Sequence, residues 1–321
     1  MLITGVGSYM GGRLALALEQ DPEFEYVAGL DVRPPSESGP GLDFVEADIR
    51  DPGIAGVLAR ARVDTVVHNQ IVRRPGRGIS PREMHDINVI GSLQLLAACE
   101  RSSSIETIVI RGSAGIYGAE PHAPQFFGEE MAQMFPMRTR FQRDVAEIEN
   151  YFRGYSHRHP HVCCTMLRYQ PAIGPSLDTQ MTRYLSLRAC PTYMGFDPRL
   201  QLVHHDDALD ALVAAIKRPL RGAVNVAGPG TVGLTRMIRL AGRQALPIAA
   251  PLFSAFTEGT RRLGMPPFSD DFRRLLRYGR AVDTSRLEHE VGFKPRLSTL
   301  AAIEDWVRAR SARELREAVT G

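Results

Sequence analysis

The chain has 321 residues, a formal net charge of +3 and an apolar fraction of 44%. That length supports a large core, in one big domain or two closely joined ones, and the composition is that of a soluble globular protein. So small a charge on scattered basic residues argues against a nucleic-acid or membrane partner. No apolar run is long enough to span a bilayer and no signal peptide precedes the first motif, so a cytoplasmic location is expected. Few apolar residues precede Gly5 for a central strand, and the natural start is expected upstream. Lys217 and Lys294 are the only lysines against a large excess of arginine, a bias ascribed to genome composition. Cys99, Cys163, Cys164 and Cys190 lack CxxC or metal-ligand spacing, and Cys163 and Cys164 read as buried thiols.

Short apolar runs alternate with helical patterns along the chain, which predicts βαβ units and a parallel sheet. Strands are predicted over residues 1–4, 26–31, 43–45, 65–68, 107–111 and 163–169, and helices over 11–19, 81–100 and 134–155. Ser80 caps the second of these helices, with Pro81 in its first position and Glu83 placed to close a capping box. Asp206 is expected to cap a helix running through Ala211 to Lys217. Beyond Pro171, prolines at 175, 191, 198, 229, 247, 251, 266 and 267 interrupt the pattern. The expected fold is α/β: a Rossmann-type doubly wound parallel sheet with a smaller C-terminal substrate domain. The expected division is 1–171 for the nucleotide-binding domain, with 203–228 returning to it, and 172–202 plus 229–321 for the substrate portion.

The segment Thr4-Gly5-Val6-Gly7-Ser8-Tyr9-Met10-Gly11 follows a strand and opens a helix. Gly5 permits a tight turn and Gly11 close helix–strand packing, so a dinucleotide pyrophosphate can lie at the positive helix N-terminus. Asp31 follows Gly11 by twenty residues at the end of the next strand. There an acidic residue binds the adenosine ribose hydroxyls and repels a 2′-phosphate. NAD is favoured over NADP, although Arg33 nearby keeps the second open.

These residues, with others downstream, resemble the extended short-chain dehydrogenase/reductase superfamily, specifically the NAD-dependent epimerase/dehydratase family. Glu46-Ala47-Asp48-Ile49 resembles its adenine-contacting segment, and Asn88-Val89-Ile90-Gly91-Ser92 its Asn-Val-x-Gly-Thr helix. Ser113-Ala114-Gly115-Ile116-Tyr117-Gly118 is similar to its Ser-x-x-Val-Tyr-Gly run, which puts Ser113 at the catalytic serine/threonine position. Leu167-Arg168-Tyr169-Gln170-Pro171 resembles the strand leading to the substrate domain. Val203-His204-His205-Asp206-Asp207 and Val282-Asp283-Thr284-Ser285-Arg286-Leu287 resemble its two later signatures. The resemblance implies cofactor contacts from Gly5, Gly7, Ser8, Gly11, Asp31, Arg33, Asp48, Ile49, Asn69, Asn88, Arg143 and Tyr169. It also implies a homodimer paired through the helices at 81–100 and 134–155.

Three departures stand out. Ser8 replaces a family glycine, and its Cβ faces the approach to pyrophosphate. Asn69-Gln70-Ile71 replaces an apolar, small segment beside the nicotinamide ribose. Family chemistry uses a tyrosine for the proton and a lysine four residues later, on one helix face. Here the register that aligns Glu147 places Thr139 at the tyrosine and Arg143 at the lysine, and no lysine lies between Met1 and Ile216. An aliphatic hydroxyl is far harder to ionise than a phenol, and a guanidinium is no practical base. Arg143 reads equally as a ribose contact or a solvated helix charge. Ser113 either orients substrate or caps locally. Tyr117 shapes the site, and Tyr151 and Tyr155 pack.

His204, His205 and Asp206 suggest metal ligation, but strand alternation would point the two histidines to opposite faces. Helix capping and one pocket-facing histidine are expected instead, with no metal. Met131, Met134 and Met137 predict a helical packing stripe. Together these features predict an NAD-binding protein that acts as an atypical oxidoreductase or isomerase on a small or nucleotide-linked substrate, with Ser113, Thr139 and Arg143 in the catalytic positions. The alternative is a non-catalytic NAD(H) sensor or interaction module.

Overall fold

The computed structural model describes residues 1–72, 80–253 and 268–320, the last four as backbone only. Six strands come first, with helices in every connection but that from β2 to β3: β1 Leu2–Thr4, β2 Val27–Asp31, β3 Leu42–Glu46, β4 Thr65–His68, β5 Thr107–Ser113 and β6 Cys163–Tyr169. A seventh strand, Gly222–Val226, returns to the outer edge of β6. The sheet order is seventh, β6, β5, β4, β1, β2, β3, and every neighbouring pair is parallel. The order reverses between β1 and β4. In such sheets ligands bind in the crevice outside the C-terminal strand ends at that reversal.

Side-chain alternation divides the core. Ile3, Val67, Val109 and Leu167 pack on one face against α1 (Tyr9–Glu19) and α7 (His205–Lys217). Leu2, Val66, Ile108 and Met166 pack on the other against α2 (Ile54–Arg60), α4 (Gly91–Glu100) and α5 (Arg140–Arg158). A third core joins Met181, Tyr184 and Leu185 of α6 (Gln180–Ser186) to Met237, Leu275 and Trp306 from later helices. Pro266 and Pro267 lie outside the described residues.

The helix predicted over 81–100 is present with those bounds, as α3 (Pro81–His85), a π-helical turn at Asp86–Ile90 and α4. Several other local expectations are corrected. The helix expected from 134 starts at Arg140, because Gln133 takes a positive φ of 62° and Pro136 interrupts the approach. The methionine stripe is therefore not helical: Met131 and Met137 pack on a small cluster with Phe127 and Val145, and Met134 is 60% exposed. His204, not Asp206, caps α7, its ring facing the Asp206 N–H. Cys163 is only partly buried, and all four thiols are free.

His68, fully buried at the end of β4, links three elements. Thr4 Oγ1 lies 2.8 Å from its Nδ1, Ser92 Oγ lies 2.8 Å from its Nε2, and the Ser92 hydroxyl donates to the Asn88 carbonyl at 2.5 Å. That network assigns the proton to Nε2 and leaves Nδ1 as acceptor. Burial pushes the His68 pKa down to about 4 from 6.5. The folded state therefore holds His68 neutral while the unfolded chain binds a proton below pH 6.5, so stability falls as pH drops from 6.5 toward 4. The loss approaches about 3 kcal/mol. Denaturant unfolding between pH 7 and 4 should show this slope, and His68→Gln should flatten it.

Candidate cofactor and substrate site

The turn after β1 is built by Gly5 in the left-handed region, φ +76°, where glycine carries no steric penalty. The Gly5 N–H donates to the Leu30 carbonyl at 2.9 Å and the Ser8 N–H closes back on the Gly5 carbonyl at 3.2 Å. Ser8 caps α1 with ordinary extended angles: its hydroxyl donates to the Gly5 carbonyl at 2.8 Å and accepts the Gly11 N–H at 3.1 Å. The serine that replaces a family glycine thus strengthens the turn. A Cβ on Gly11 would lie 2.0 Å from the Gly5 oxygen, and one on Gly7 would lie 2.7 Å from the Arg33 oxygen. This cradle tolerates no side chain at either place.

Asp31 sits where expected, 7% exposed at the end of β2. Its carboxylate accepts the Gly7 N–H at 3.0 Å and the Arg33 N–H at 3.3 Å, while the Arg33 side chain is exposed. Asp48 is engaged by Arg50 through three bonds of 2.5–2.9 Å; the hydrogen bond from that guanidinium holds its carboxyl below the usual range. Ile49 is buried, with Gly91 packed so close that a Cβ there would meet Ile49 at 2.5 Å. Asn88 clamps the segment after β4, accepting the Val72 N–H at 2.7 Å and donating to its carbonyl at 2.8 Å. It fixes the loop instead of presenting its amide to a ligand.

Asn69 lines the crevice. Its amide nitrogen lies 3.4 Å from Ser8 Oγ and 3.5 Å from the Gly5 oxygen, and its carbonyl accepts Arg111 Nη1 at 3.4 Å. Ser113 ends β5, where its oxygen accepts the Gly115 N–H at 3.1 Å. Tyr169 is buried and donates to the Ala208 carbonyl at 3.0 Å, so it packs beneath the cleft.

Thr139, expected at the proton-donor position, is a helix cap. Its Oγ1 accepts the Gln142 N–H at 3.1 Å while the Gln142 side chain accepts the Thr139 N–H at 3.1 Å, a reciprocal capping box of the kind that fixes helix starts. Arg143, one turn on, is exposed and forms no side-chain hydrogen bond or ion pair among the described residues. Tyr117 is unsuited to proton transfer: its hydroxyl donates to Asn225 Oδ1 at 2.6 Å and accepts from Arg168 at 2.8 Å. Burial pushes it up to about 12.

A cavity of about 380 Å³ opens beside Thr139, lined by Tyr193, Tyr278, Arg138, Arg273, Arg274 and Arg277 with Asp270 and Ala250. Glu120 pairs with Arg274 at 2.7 Å and Arg138 at 3.5 Å, and Asp270 pairs with Arg273. Arg277 is matched by no carboxylate among the described residues; its guanidinium stacks 5.0–5.3 Å from the rings of Tyr193, Phe196 and Tyr278. Arg280, 5% exposed, donates to the Gly118 carbonyl at 3.1 Å and to Gln170 at 3.4 Å. This second, cationic chamber was not read from the sequence, because its residues come from dispersed segments and arginine is common throughout the chain. Arg111 carried a signal, a charge inside the apolar run of β5.

The histidine pair departs from expectation. His204 ends a short strand and His205 starts α7, so alternation does not separate them; both are buried with ring centroids 4.6 Å apart. Ligand atoms of His204, His205 and Asp206 lie within 4.8 Å of one another. Arg13 occupies the same cluster, 2.7 Å from Asp206 and 3.2 Å from His205 Nδ1, which supplies the positive charge a metal would bring.

Replacing Tyr117 by Phe leaves the buried Arg168 and Asn225 each one partner short, a cost of about 1–3 kcal/mol. Thermal unfolding should register that loss, while dinucleotide affinity in calorimetry stays at the wild-type value because the hydroxyl faces away from the cradle.

The described geometry agrees with known proteins at two levels. The family model described as "NAD dependent epimerase/dehydratase family" matches residues 1–227. The uncharacterized protein Rv0501 of Mycobacterium tuberculosis is 35% identical over 97% of this chain and 84% of its own length. Among solved structures, the dTDP-glucose 4,6-dehydratase DesIV of Streptomyces venezuelae, with NAD and TYD bound, aligns with TM-score 0.74 at 20% identity. That alignment covers 98% of each chain. The UDP-glucose 4-epimerase of Thermotoga maritima aligns with TM-score 0.72 at 18% identity, covering 98% and 99%. The two structures share the fold, and the family match supports NAD as the cofactor. The chain therefore belongs to the NAD-dependent epimerase/dehydratase family.

Proposed function

We propose that this protein binds NAD in the β1–α1 cradle and a nucleotide-linked, phosphate-bearing substrate in the arginine-lined chamber. On this reading it works as an atypical oxidoreductase or isomerase in which Thr139 and Arg143 replace the usual tyrosine–lysine relay. The observation that carries it is the combination of a complete cradle with a threonine locked in a helix cap at the proton-donor position. The cradle fits the dinucleotide because two glycines sit where a Cβ would strike backbone oxygen, and because Asp31 stands at the ribose position.

When bound, NAD accepts or returns a hydride. The chain's residues would bind and orient: Gly5–Gly11 and Asp31 would hold the cofactor, Ser113 would offer a hydroxyl to the substrate oxygen, and the exposed Arg143 would contact a ribose. Arg277 supplies uncompensated charge for a substrate phosphate, as guanidinium forks do. The return of the seventh strand to the sheet supports the proposed domain division of 1–171 with 203–228, against 172–202 and 229–321. A cytoplasmic homodimer completes the reading; exposed Ile90 and Leu93 on the π turn and α4 favour pairing through that face.

The sensor reading has its own support, since Thr139 is held in a capping box and the Tyr117 hydroxyl between Asn225 and Arg168. The deciding experiment incubates the protein with NAD and a panel of nucleotide sugars, following absorbance at 340 nm for net oxidation and chromatography of the sugar for isomerisation, which returns the hydride and leaves no net NADH. Wild type is expected to turn over at a small fraction of the rate of the double substitution Thr139→Tyr with Arg143→Lys, which restores the relay. Wild type that binds NAD with no turnover in either form favours the sensor, and failure to bind NAD refutes both.

A further inference from the structure

We propose that Arg111 is the cation of the cofactor site and binds the dinucleotide pyrophosphate, an assignment that rests on the NAD-binding reading above. Arg111 lies in β5 two residues before Ser113, on the Val109 face of the sheet, which packs on α1 and α7. Its guanidinium lies 5.4 Å from the centroid of the Tyr169 ring and reaches Asn69 Oδ1 at 3.4 Å. Asn69 in turn lies 3.4 Å from Ser8 Oγ and 3.5 Å from the Gly5 carbonyl. One side chain therefore separates Arg111 from the phosphate cradle.

Its bonding is incomplete. Nε is enclosed with no hydrogen-bond partner, and no carboxylate pairs with the group among the described residues. Arg168 on the adjacent strand shows the satisfied alternative, bonded to both oxygens of Glu149 at 3.0 and 2.7 Å. A desolvated guanidinium without a counter-charge is unfavourable, and burial holds Arg111 below its ordinary pKa. The carboxylates expected at the cofactor site are bonded elsewhere: Asp31 to two backbone N–H groups, Asp48 to Arg50. Gln70 Oε1, beside the Gly5 turn, is a second enclosed polar atom without a partner. The ligand that completes this set is an anion at the α1 N-terminus, where backbone N–H groups and the helix dipole already favour one. A strand-borne arginine thus supplies charge in a region that has no lysine.

Calorimetric titration of the full chain with NAD and with ADP-ribose, which keeps the pyrophosphate and lacks nicotinamide, tests this. Arg111→Met and Arg111→Gln should each weaken both ligands roughly ten- to a hundredfold, the scale of one lost charged hydrogen bond. Arg60→Met, at the exposed C-terminal turn of α2 and outside the crevice, should leave both ligands unchanged. Without ligand, both Arg111 variants should melt at or above the wild-type temperature, because an unpaired buried charge is gone. Affinities within twofold of wild type overturn the proposal, as does a loss for NAD alone, which would place the contact at nicotinamide. A lower melting temperature in both variants would make Arg111 structural and also overturn it. Wild type that binds neither ligand removes the cofactor reading itself, a result distinct from variants that bind as wild type does.

Discussion

The Gly5 carbonyl stands where a side chain on residue 11 would begin, 2.0 Å from an ideal Cβ. That contact seats α1 against the end of β1 at the place where the sheet order reverses. Asp31, Asn69 and Ser113 gather around one crevice because each ends a strand adjoining that reversal or one strand beyond it. Ser8 ties the arrangement with a single hydroxyl that serves both the turn carbonyl and the helix N–H. A change at Gly11 would move the helix, the phosphate cradle and the ribose carboxylate together.

The lower layer of this arrangement was legible in the sequence. Runs such as 65–68 and 163–169 gave their strands with correct bounds, because buried parallel strands read as continuous apolar segments. Gly5, Gly11 and Asp31 gave the cradle because backbone geometry leaves few alternatives at those positions. Helix starts were less readable. The 134–139 segment has methionines at helical spacing, yet Pro136 and the Thr139 capping box delay the helix to Arg140. The histidine pair was misjudged because the strand ends between its two members. The arginine chamber was invisible, since only tertiary folding brings Arg138 of one segment against Arg273–Arg277 of another.

Charge distribution underlies the proposed departure from the family's chemistry. A lysine can tune a phenol and also bind ribose; arginine binds well but does not surrender its proton. Thr139 is held by its own helix, and Tyr117 is held between Asn225 and Arg168. The Thr139 and Tyr117 hydroxyls are therefore structural, which leaves Ser113 and the cationic groups for the proposed recognition of substrate.

The central claim is that the cradle has been kept while the relay has been replaced. Calorimetry of NAD and NADP with the wild-type chain tests it most directly. The account predicts one NAD per chain and weaker NADP, because the buried Asp31 carboxylate faces the position of a 2′-phosphate. Absence of NAD binding, or tighter binding of NADP, would contradict it.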